Sequence, residues 1–414
     1  MIDPQKILSK FPNSVPRYTS YPTAPHFQEG LGKSLIDKAL ASIQRDERIS
    51  IYVHIPYCDR LCWFCGCNTK HTLKYDPVAA YIGSLIDEIT LMGEKLDFKP
   101  FVGHLHFGGG SPSMVQSADF KRLRSALDKV FSFDDQSEIS VEIDPSDVTD
   151  DTMNGLKILG LTRASIGVQD FDPRVQAAIN RPQTYEQTRD VVERLRSIGI
   201  GSLNIDALYG LPLQSEDTVQ KTIDQVIALR PDRVALFGYA HVPWMKKHQK
   251  LIKEADLPDT MQRFAQCGLA EAALLEAGYE KIGFDHFALK QDSMAIAARS
   301  GNLHRNFQGY TTDACKTMLG LGASSIGKFD GGYIQNTVAT SQYRACVANG
   351  ELPAAKGFEL SKDDTIRGWM IGRLMCEFEI DLDQLASRYG EMAKPYLEEI
   401  QILASQEQDE LCKI

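Results

Sequence analysis

Short apolar runs alternate along this chain with longer stretches in which apolar residues recur every three or four positions. The runs lie at 49–55, 102–107, 138–144, 163–169, 201–210 and 233–240, with a further one at 280–288. Each is short enough for a strand and bounded by Gly, Pro, Asp or polar residues. The stretches between them have helical spacing. In 78–96, Tyr81, Leu85, Ile89 and Met92 fall on one face. Further helices are expected at 117–131, 184–199 and 215–230. Ser215 is the N-cap of the last, with Thr218 where a full capping box carries Glu or Gln.

Strand–helix alternation of this kind predicts parallel strands joined by crossover helices. Six or seven units follow one another, and no dinucleotide fingerprint follows the first strand. A barrel or partial barrel is therefore expected rather than a doubly wound sheet. In either fold the loops leaving the C-terminal strand ends build the site, and most unusual residues of this chain fall there. After about residue 290 the rhythm stops. A helix is expected at 258–279, a polar and aromatic loop at 301–313, and helices at 364–378 and 382–405. The expected organisation is an N-terminal arm (1–48), the barrel (49–290), a connecting segment that completes the site (291–329) and a mainly helical C-terminal domain (330–414). The arm carries three prolines and three aromatics, Tyr18, Tyr21 and Phe27, within 13–27 and is expected to lie against the body.

Bulk properties add exclusions. The chain has 414 residues, 43% hydrophobic and 24% charged, with a net charge of −10. That charge disfavours a general nucleic-acid or membrane-surface binder. No apolar run approaches a bilayer span, and the first residues lack the apolar core of a signal peptide. A cytoplasmic protein with reduced thiols is expected.

Chemistry concentrates in "IYVHIPYCDRLCWFCGCNT" (51–69), which follows the first strand. Four of the nine cysteines stand there, at 58, 62, 65 and 67. Cys58, Cys62 and Cys65 form C-x3-C-x2-C. Structural zinc sites usually need four ligands in two separated pairs, and no second pair follows. Three thiolates suit three corners of a [4Fe–4S] cluster whose fourth iron stays open. Zinc, or plain core cysteines, are the alternatives.

This spacing on a loop after the first strand of a βα series resembles the radical S-adenosylmethionine (SAM) enzymes. The segments "PRYTSYPTA", "YVHIPYCDRLCWFCGCN", "FGGGSPS", "SVEIDPSDVT", "SIGVQDF", "NIDALYGLP", "DHFA" and "LHRNFQGYTT" together resemble oxygen-independent coproporphyrinogen III oxidase, in order, over about residues 15 to 380. The resemblance implies a (βα)6 partial barrel, one [4Fe–4S] cluster and two SAM molecules, one of them on the cluster. It implies oxidative decarboxylation of two propionates of coproporphyrinogen III to vinyl groups, giving protoporphyrinogen IX, through a 5′-deoxyadenosyl radical. A reductant such as a flavodoxin-type donor and a further electron acceptor follow, with neither nucleic acid nor membrane as partner. A monomer is expected. The alternative is a haem-binding, chaperone-like radical SAM protein without this turnover. An anaerobic assay with coproporphyrinogen separates the two.

Carried over residue by residue, the resemblance puts Tyr52, Gly109, Glu142 and Ile326 on the first SAM. Phe64, Gly110, Ser111, Gln169, Arg181, Asp206 and Ala240 fall on the second. Without it, Tyr52 could be a packed strand aromatic, the glycines a tight turn, and Arg181 or Asp206 half of an ion pair. The family pattern also contains Cys67, which is not a ligand there and is assigned a catalytic role. Arg17, His304 and Arg305 are candidates for the propionates, against a bland reading as solvated surface. In the family the C-terminal domain extends past the segment matching "LEEIQILAS", so a shortened one is expected here.

Overall fold

The structure is a computed structural model and describes residues 21–406. Six parallel strands form its centre: β1 (Arg48–Ile55), β2 (Phe101–Gly109), β3 (Glu138–Ile143), β4 (Arg163–Gln169), β5 (Ser202–Tyr209) and β6 (Arg233–Gly238). They pair in chain order, and Met318–Leu321 adds a further parallel strand beside β1. Antiparallel strands extend both edges into one 13-stranded sheet that does not close. This is the expected partial barrel.

The alternation within each strand explains the layers. Ile51, Val53 and Ile55 of β1, Leu105 and Phe107 of β2, and Val141 and Ile143 of β3 are buried. They pack in one core with crossover-helix residues such as Tyr81, Leu85, Phe120 and Leu123. The other phase of the same strands is polar. Ser50, His106, Ser140, Glu142, Ser165, Asn204 and Asp206 line a chamber of about 280 Å³. Side chains a period of two apart thus serve two environments: oil outside the barrel and a polar lumen inside. The crossover helices begin where capping predicts. Ser215 caps Glu216–Ala228, and Thr218, although neither Glu nor Gln, completes the box by accepting from Ser215 N at 2.9 Å.

Four expectations need correction. The run 280–288 is a hairpin, Tyr279–Ile282 and His286–Leu289, not a single strand. Gly283 turns it at φ 58°. The loop at 301–313 contains a second hairpin, His304–Asn306 and Gly309–Thr311. Residues from 330 onward do not begin as helix. Gly332–Asn336 and Ala354–Glu359 are strands of the large sheet, and the terminal helices start at Lys362. The helix expected at 382–405 is two, Leu382–Tyr389 and Lys394–Gln406, separated at Gly390, which takes φ 56°.

The segment from Tyr21 packs on this added sheet. Phe27 stacks on Tyr333 at 5.7 Å, Tyr333 Oη donates to Tyr21 O at 3.2 Å, and Tyr21 Oη reaches Asp364 on the helix Lys362–Glu377. Among the described residues no helix is long and apolar enough to cross a membrane.

Candidate active site

The cysteine loop leaves β1 and is clamped from several sides. Gly110 N donates to Ile55 O at 2.8 Å and Ser111 N to Tyr57 O at 2.7 Å, so the turn after β2 is stitched to the start of the loop. Trp63 N donates to Ile179 O at 2.9 Å, and Asn180 Nδ2 to Leu61 O at 2.9 Å. Asn180 takes φ 55°, a left-handed conformation that asparagine tolerates. Trp63 and Phe64 pack against Val175, Ile179, Leu211, Tyr239 and Ile252, which shields one side of the loop with hydrocarbon.

Within this frame Cys62 is buried, Cys58 and Cys65 are half-buried and Cys67 is exposed. Burial, followed by the charges of Cys65 and Cys62, pushes the Cys58 thiol up. Three thiols this close resist becoming thiolates together, a penalty that bound iron removes. Two of them already receive N–H groups. Arg181 Nη1 lies 3.5 Å from Cys62 Sγ, and Cys67 N lies 3.4 Å from Cys65 Sγ. Such bonds suit the electron-rich sulfurs of an iron–sulfur cluster. Among the described residues no group of three His, Cys, Asp or Glu is placed to hold a single ion. A cubane asks for one thiolate per iron, and the loop fits that demand.

The strand ends beyond the loop are tied to one another. The Tyr52 ring stacks on His106 at 5.9 Å and meets the edge of Phe307 at 5.3 Å. Its hydroxyl lies 3.0 Å from His54 Nδ1. His54 Nε2 lies 3.0 Å from the carbonyl of Asn68, so Nε2 carries the proton and Nδ1 accepts from Tyr52. Burial lowers the His54 pKa, which keeps that neutral tautomer.

Glu142 accepts from Gly109 N at 3.1 Å and His106 Nε2 at 3.3 Å. Burial works against its charge, but His106 and the Gly109 N–H hold it below the usual carboxylate range. Its side chain remains 41% exposed to the chamber. Asp206 is pushed up to about 6, first by burial and then by Glu142. Two carboxylates with different set-points thus face one cavity.

Each glycine of "FGGGS" is required for its own reason. A Cβ on Gly108 would lie 2.6 Å from Glu142 Oε1, and one on Gly110 2.5 Å from Tyr57 O. On Gly109, at φ 112°, it would lie 2.4 Å from the His54 ring. In each case the space a side chain would take is filled by the protein's own groups. Ser111 is likewise engaged, with Asp147 and with Ser113 Oγ at 2.8 Å. Gln169 ends β4 at φ 70°, a strained conformation for a side-chain-bearing residue and common at functional sites.

Arg181 is almost spent. Nη1 also pairs with Asp144 Oδ2 at 2.9 Å, and Nη2 donates to Gly167 O at 2.7 Å, which leaves Nε buried without a partner among the described residues. Ala240 is exposed at the foot of the next loop, and Gln249 Nε2 binds its carbonyl at 3.3 Å. Ile326 starts the strand Ile326–Phe329, half-buried beside Gly320.

The hairpin at 304–311 divides two cavities. Asn306, Thr311, Asp313 and Met318 border both the inner chamber and an outer cavity of about 590 Å³. The outer one is lined by His304, Arg305, Lys328, Arg373 and Tyr21, with Trp369 and Asp364 of the helix Lys362–Glu377. Arg305 lies over the Tyr310 ring at 4.6 Å, and its Nε and Nη1 are buried with no hydrogen-bond partner among the described residues. Arg17 lies outside the described residues.

The strand ends therefore gather Tyr52, Gly109, Glu142 and Asp206, while Arg181 sits with Cys62, and His304 and Arg305 with the outer cavity. Sequence reasoning missed His54, His106, Phe307 and Asp144. The two histidines carry a usable signal: in YVHI and HLHF they share the polar phase of otherwise buried strands. Phe307 and Asp144 carry none, because only the fold brings them to the site.

The sequence profile of the Radical SAM superfamily matches residues 52–226. A protein of Cereibacter sphaeroides named oxygen-independent coproporphyrinogen III oxidase is 48% identical over 94% of this chain and 86% of its own length. A Pseudomonas aeruginosa protein of the same name is 39% identical over 95% and 86%. The solved structure of coproporphyrinogen III oxidase from Escherichia coli, described as a radical SAM enzyme, superposes with a TM-score of 0.92. It is 37% identical, over 100% of this chain and 94% of that one.

Proposed function

Because the chain belongs to the oxygen-independent coproporphyrinogen III oxidases of the radical SAM superfamily, we propose a division of labour: the outer cavity receives the tetrapyrrole, and the C-terminal strand ends beside the cysteine loop, above the inner chamber, receive SAM. The reaction is the anaerobic conversion of two propionates of coproporphyrinogen III to vinyl groups, giving protoporphyrinogen IX. Each propionate loses CO2, one hydrogen atom from its β-carbon and one electron. Cys58, Cys62 and Cys65 would hold the [4Fe–4S] cluster. Bound there, cluster and SAM supply the one-electron chemistry that removes the hydrogen atom.

The chain's own residues set the geometry. Tyr52, stacked on His106 and in edge contact with Phe307, would back the SAM site and exclude water. Glu142, kept ionised by His106 and the Gly109 N–H, offers a negative charge to the cationic cofactor. Ile326 would contact the same SAM. Arg181, Gln169, Asp206, Phe64, Gly110, Ser111 and Ala240 would meet a second SAM. Cys67, exposed beside Cys65, would act on the reacting groups without holding iron.

The observation that carries the substrate assignment is Arg305. A guanidinium with two buried, unpartnered nitrogens pays a desolvation cost that a propionate carboxylate would offset by a charge-assisted pair. The exposed Lys328 adds a second cation to the same wall, and His304, whose pKa burial and the charges of Arg373 and Lys328 lower, offers a neutral imidazole beside it. Arg305→Ala is expected to raise KM for coproporphyrinogen III by 10-fold or more while cluster absorbance and SAM binding stay as in the wild type. Unchanged substrate affinity in that variant would remove Arg305 from the site.

A further inference from the structure

Between β6 and the helix Thr260–Glu276 the chain forms a long loop with two short turns, Lys247–Leu251 and Glu254–Asp256. Its inner side is bonded to the cysteine loop. Lys246 Nζ donates to Cys67 O at 3.2 Å, His248 Nε2 to Cys65 O at 2.7 Å and Gln249 Nε2 to Phe64 O at 2.9 Å. Three side chains of one loop thus grip three carbonyls of the other, within the stretch that carries the cluster ligands. Its outer side faces solvent. Trp244 is 75% exposed, Met245 68% and Leu251 57%. Around them Lys247, Lys250 and Lys253 are exposed and form no ion pair among the described residues. From 244 to 253 there is no acidic residue, although the whole chain has a net charge of −10.

We propose that this surface docks an acidic protein that carries electrons one at a time, and that it is where the cluster is charged. The inference rests on Cys58, Cys62 and Cys65 holding a [4Fe–4S] cluster. Each reaction cycle then needs one electron from outside the chain. In this step the carrier is oxidised by one electron and the cluster reduced by one, with no bond made or broken. Electron transfer weakens steeply with distance, so the carrier must sit against the ligand loop. Elsewhere on the loop, Trp63 and Phe64 pack partly into hydrocarbon, and Gly110 and Ser111 are bonded to its start.

An apolar centre of Trp244, Met245 and Leu251 ringed by lysines also matches what a transient redox contact needs. Such interfaces are small, and they gain their speed from charge steering toward an opposite potential. A basic island on an acidic chain attracts an acidic carrier to this point and repels it elsewhere.

The test uses anaerobically reconstituted holoenzyme and, as probe, an acidic flavodoxin reduced to its hydroquinone. Cluster reduction is followed by stopped-flow absorbance, with dithionite as a second reductant that needs no docking. For the triple variant Lys247→Glu/Lys250→Glu/Lys253→Glu, flavodoxin-driven reduction at low salt is expected to slow at least 10-fold. Dithionite-driven reduction, iron content and dithionite-supported turnover should match the wild type. Added salt should slow the wild type with flavodoxin and leave the variant almost unaffected. Equal flavodoxin rates in variant and wild type would overturn the docking site. Should the triple variant fail to take up iron, Trp244→Ala and Lys247→Glu are measured singly, and equal rates there overturn it as well. A wild type that binds no iron would overturn the cluster assignment too, an outcome distinct from equal rates in loaded protein.

Discussion

Arg181 Nη1 bridges Cys62 Sγ, at 3.5 Å, and Asp144 Oδ2, at 2.9 Å. One buried guanidinium therefore balances a carboxylate and touches a cluster ligand at once. Hydrogen bonds and positive charge at a ligand sulfur stabilise the reduced cluster and raise its potential. Arg181→Gln removes the charge and leaves Asp144 unpaired in a buried place. The expected result is a lower cluster potential in an EPR-monitored redox titration, with activity down 10- to 100-fold, the usual range for partners of metal ligands. Arg181→Lys, which keeps the charge but loses the fork, should recover part of the potential. An unchanged potential in both variants would leave Arg181 with the SAM contact alone.

Cys67 and Cys65 differ in what they are free to do. Cys65 Sγ accepts an N–H and stands among the ligands, while Cys67 is exposed and its carbonyl is held by Lys246. Cys67→Ser is expected to keep the cluster's absorbance and iron content and to lose product formation. Cys58→Ser, Cys62→Ser and Cys65→Ser should each lose the cluster. Loss of iron from the Cys67 variant would make it a fourth ligand.

Much of this was legible in the chain, and the failures have physical causes. The six central strands are bounded by turn residues and flanked by amphipathic helices, so their pattern is unambiguous. Residues 280–288 misread as one strand because Gly283 is the only break and both arms are apolar. Residues 332–336 and 354–359 are short strands inside the extended sheet that pair with each other across the helix Thr340–Ala348, so no local period marks them. The proposed cluster ligands Cys58, Cys62 and Cys65 stand out by their spacing. Arg181 does not, because its bond to Cys62 spans 119 residues and exists only once β4 and the first loop are brought together. The lysines of 246–253 look like an ordinary solvated run until Lys246 and His248 are seen to hold the cysteine loop.

Gly109 places a hydrogen atom where any other residue would place a methyl group against the His54 ring. Gly109→Ala combines that collision, at 2.4 Å, with a backbone at φ 112°. Either His54 moves, which breaks its link between Tyr52 and Asn68, or the turn shifts and Glu142 loses the Gly109 N–H. Both routes damage the proposed SAM site. Equilibrium dialysis of the reconstituted variant should show SAM affinity reduced 10-fold or more, and thermal melting should show a loss of about 1–3 kcal/mol. Gly268→Ala, on an open face of the helix Thr260–Glu276, should be neutral or slightly stabilising and serves as the control.

Glu88 is buried in the helix Asp76–Gly93 and forms no ion pair among the described residues. Its carboxylate accepts from Gly322 N at 2.7 Å, Tyr343 Oη at 2.6 Å and Asn336 Nδ2 at 2.7 Å. These bonds fasten the "GLGASS" turn, and with it the strand of Ile326, to the barrel. Burial raises the Glu88 pKa from its ordinary 4.5 to about 7, against the lowering effect of the three donors. The folded state then binds more protons than the unfolded state between those two values, so this group makes stability fall as pH rises through that window. Below about 4.5 the group is protonated in both states and the penalty is absent; above about 7 it is complete. A shift of this size corresponds to about 3 kcal/mol. Glu88→Gln cannot titrate, but its amide places an N–H against one of the three donors, at a cost of about 1–3 kcal/mol. Denaturation midpoints measured between pH 5 and pH 8 should therefore show the variant less stable at pH 5, with the gap narrowing or reversing by pH 8. A gap that stays constant across the range would mean that Glu88 is ionised throughout and that its three donors outweigh its burial.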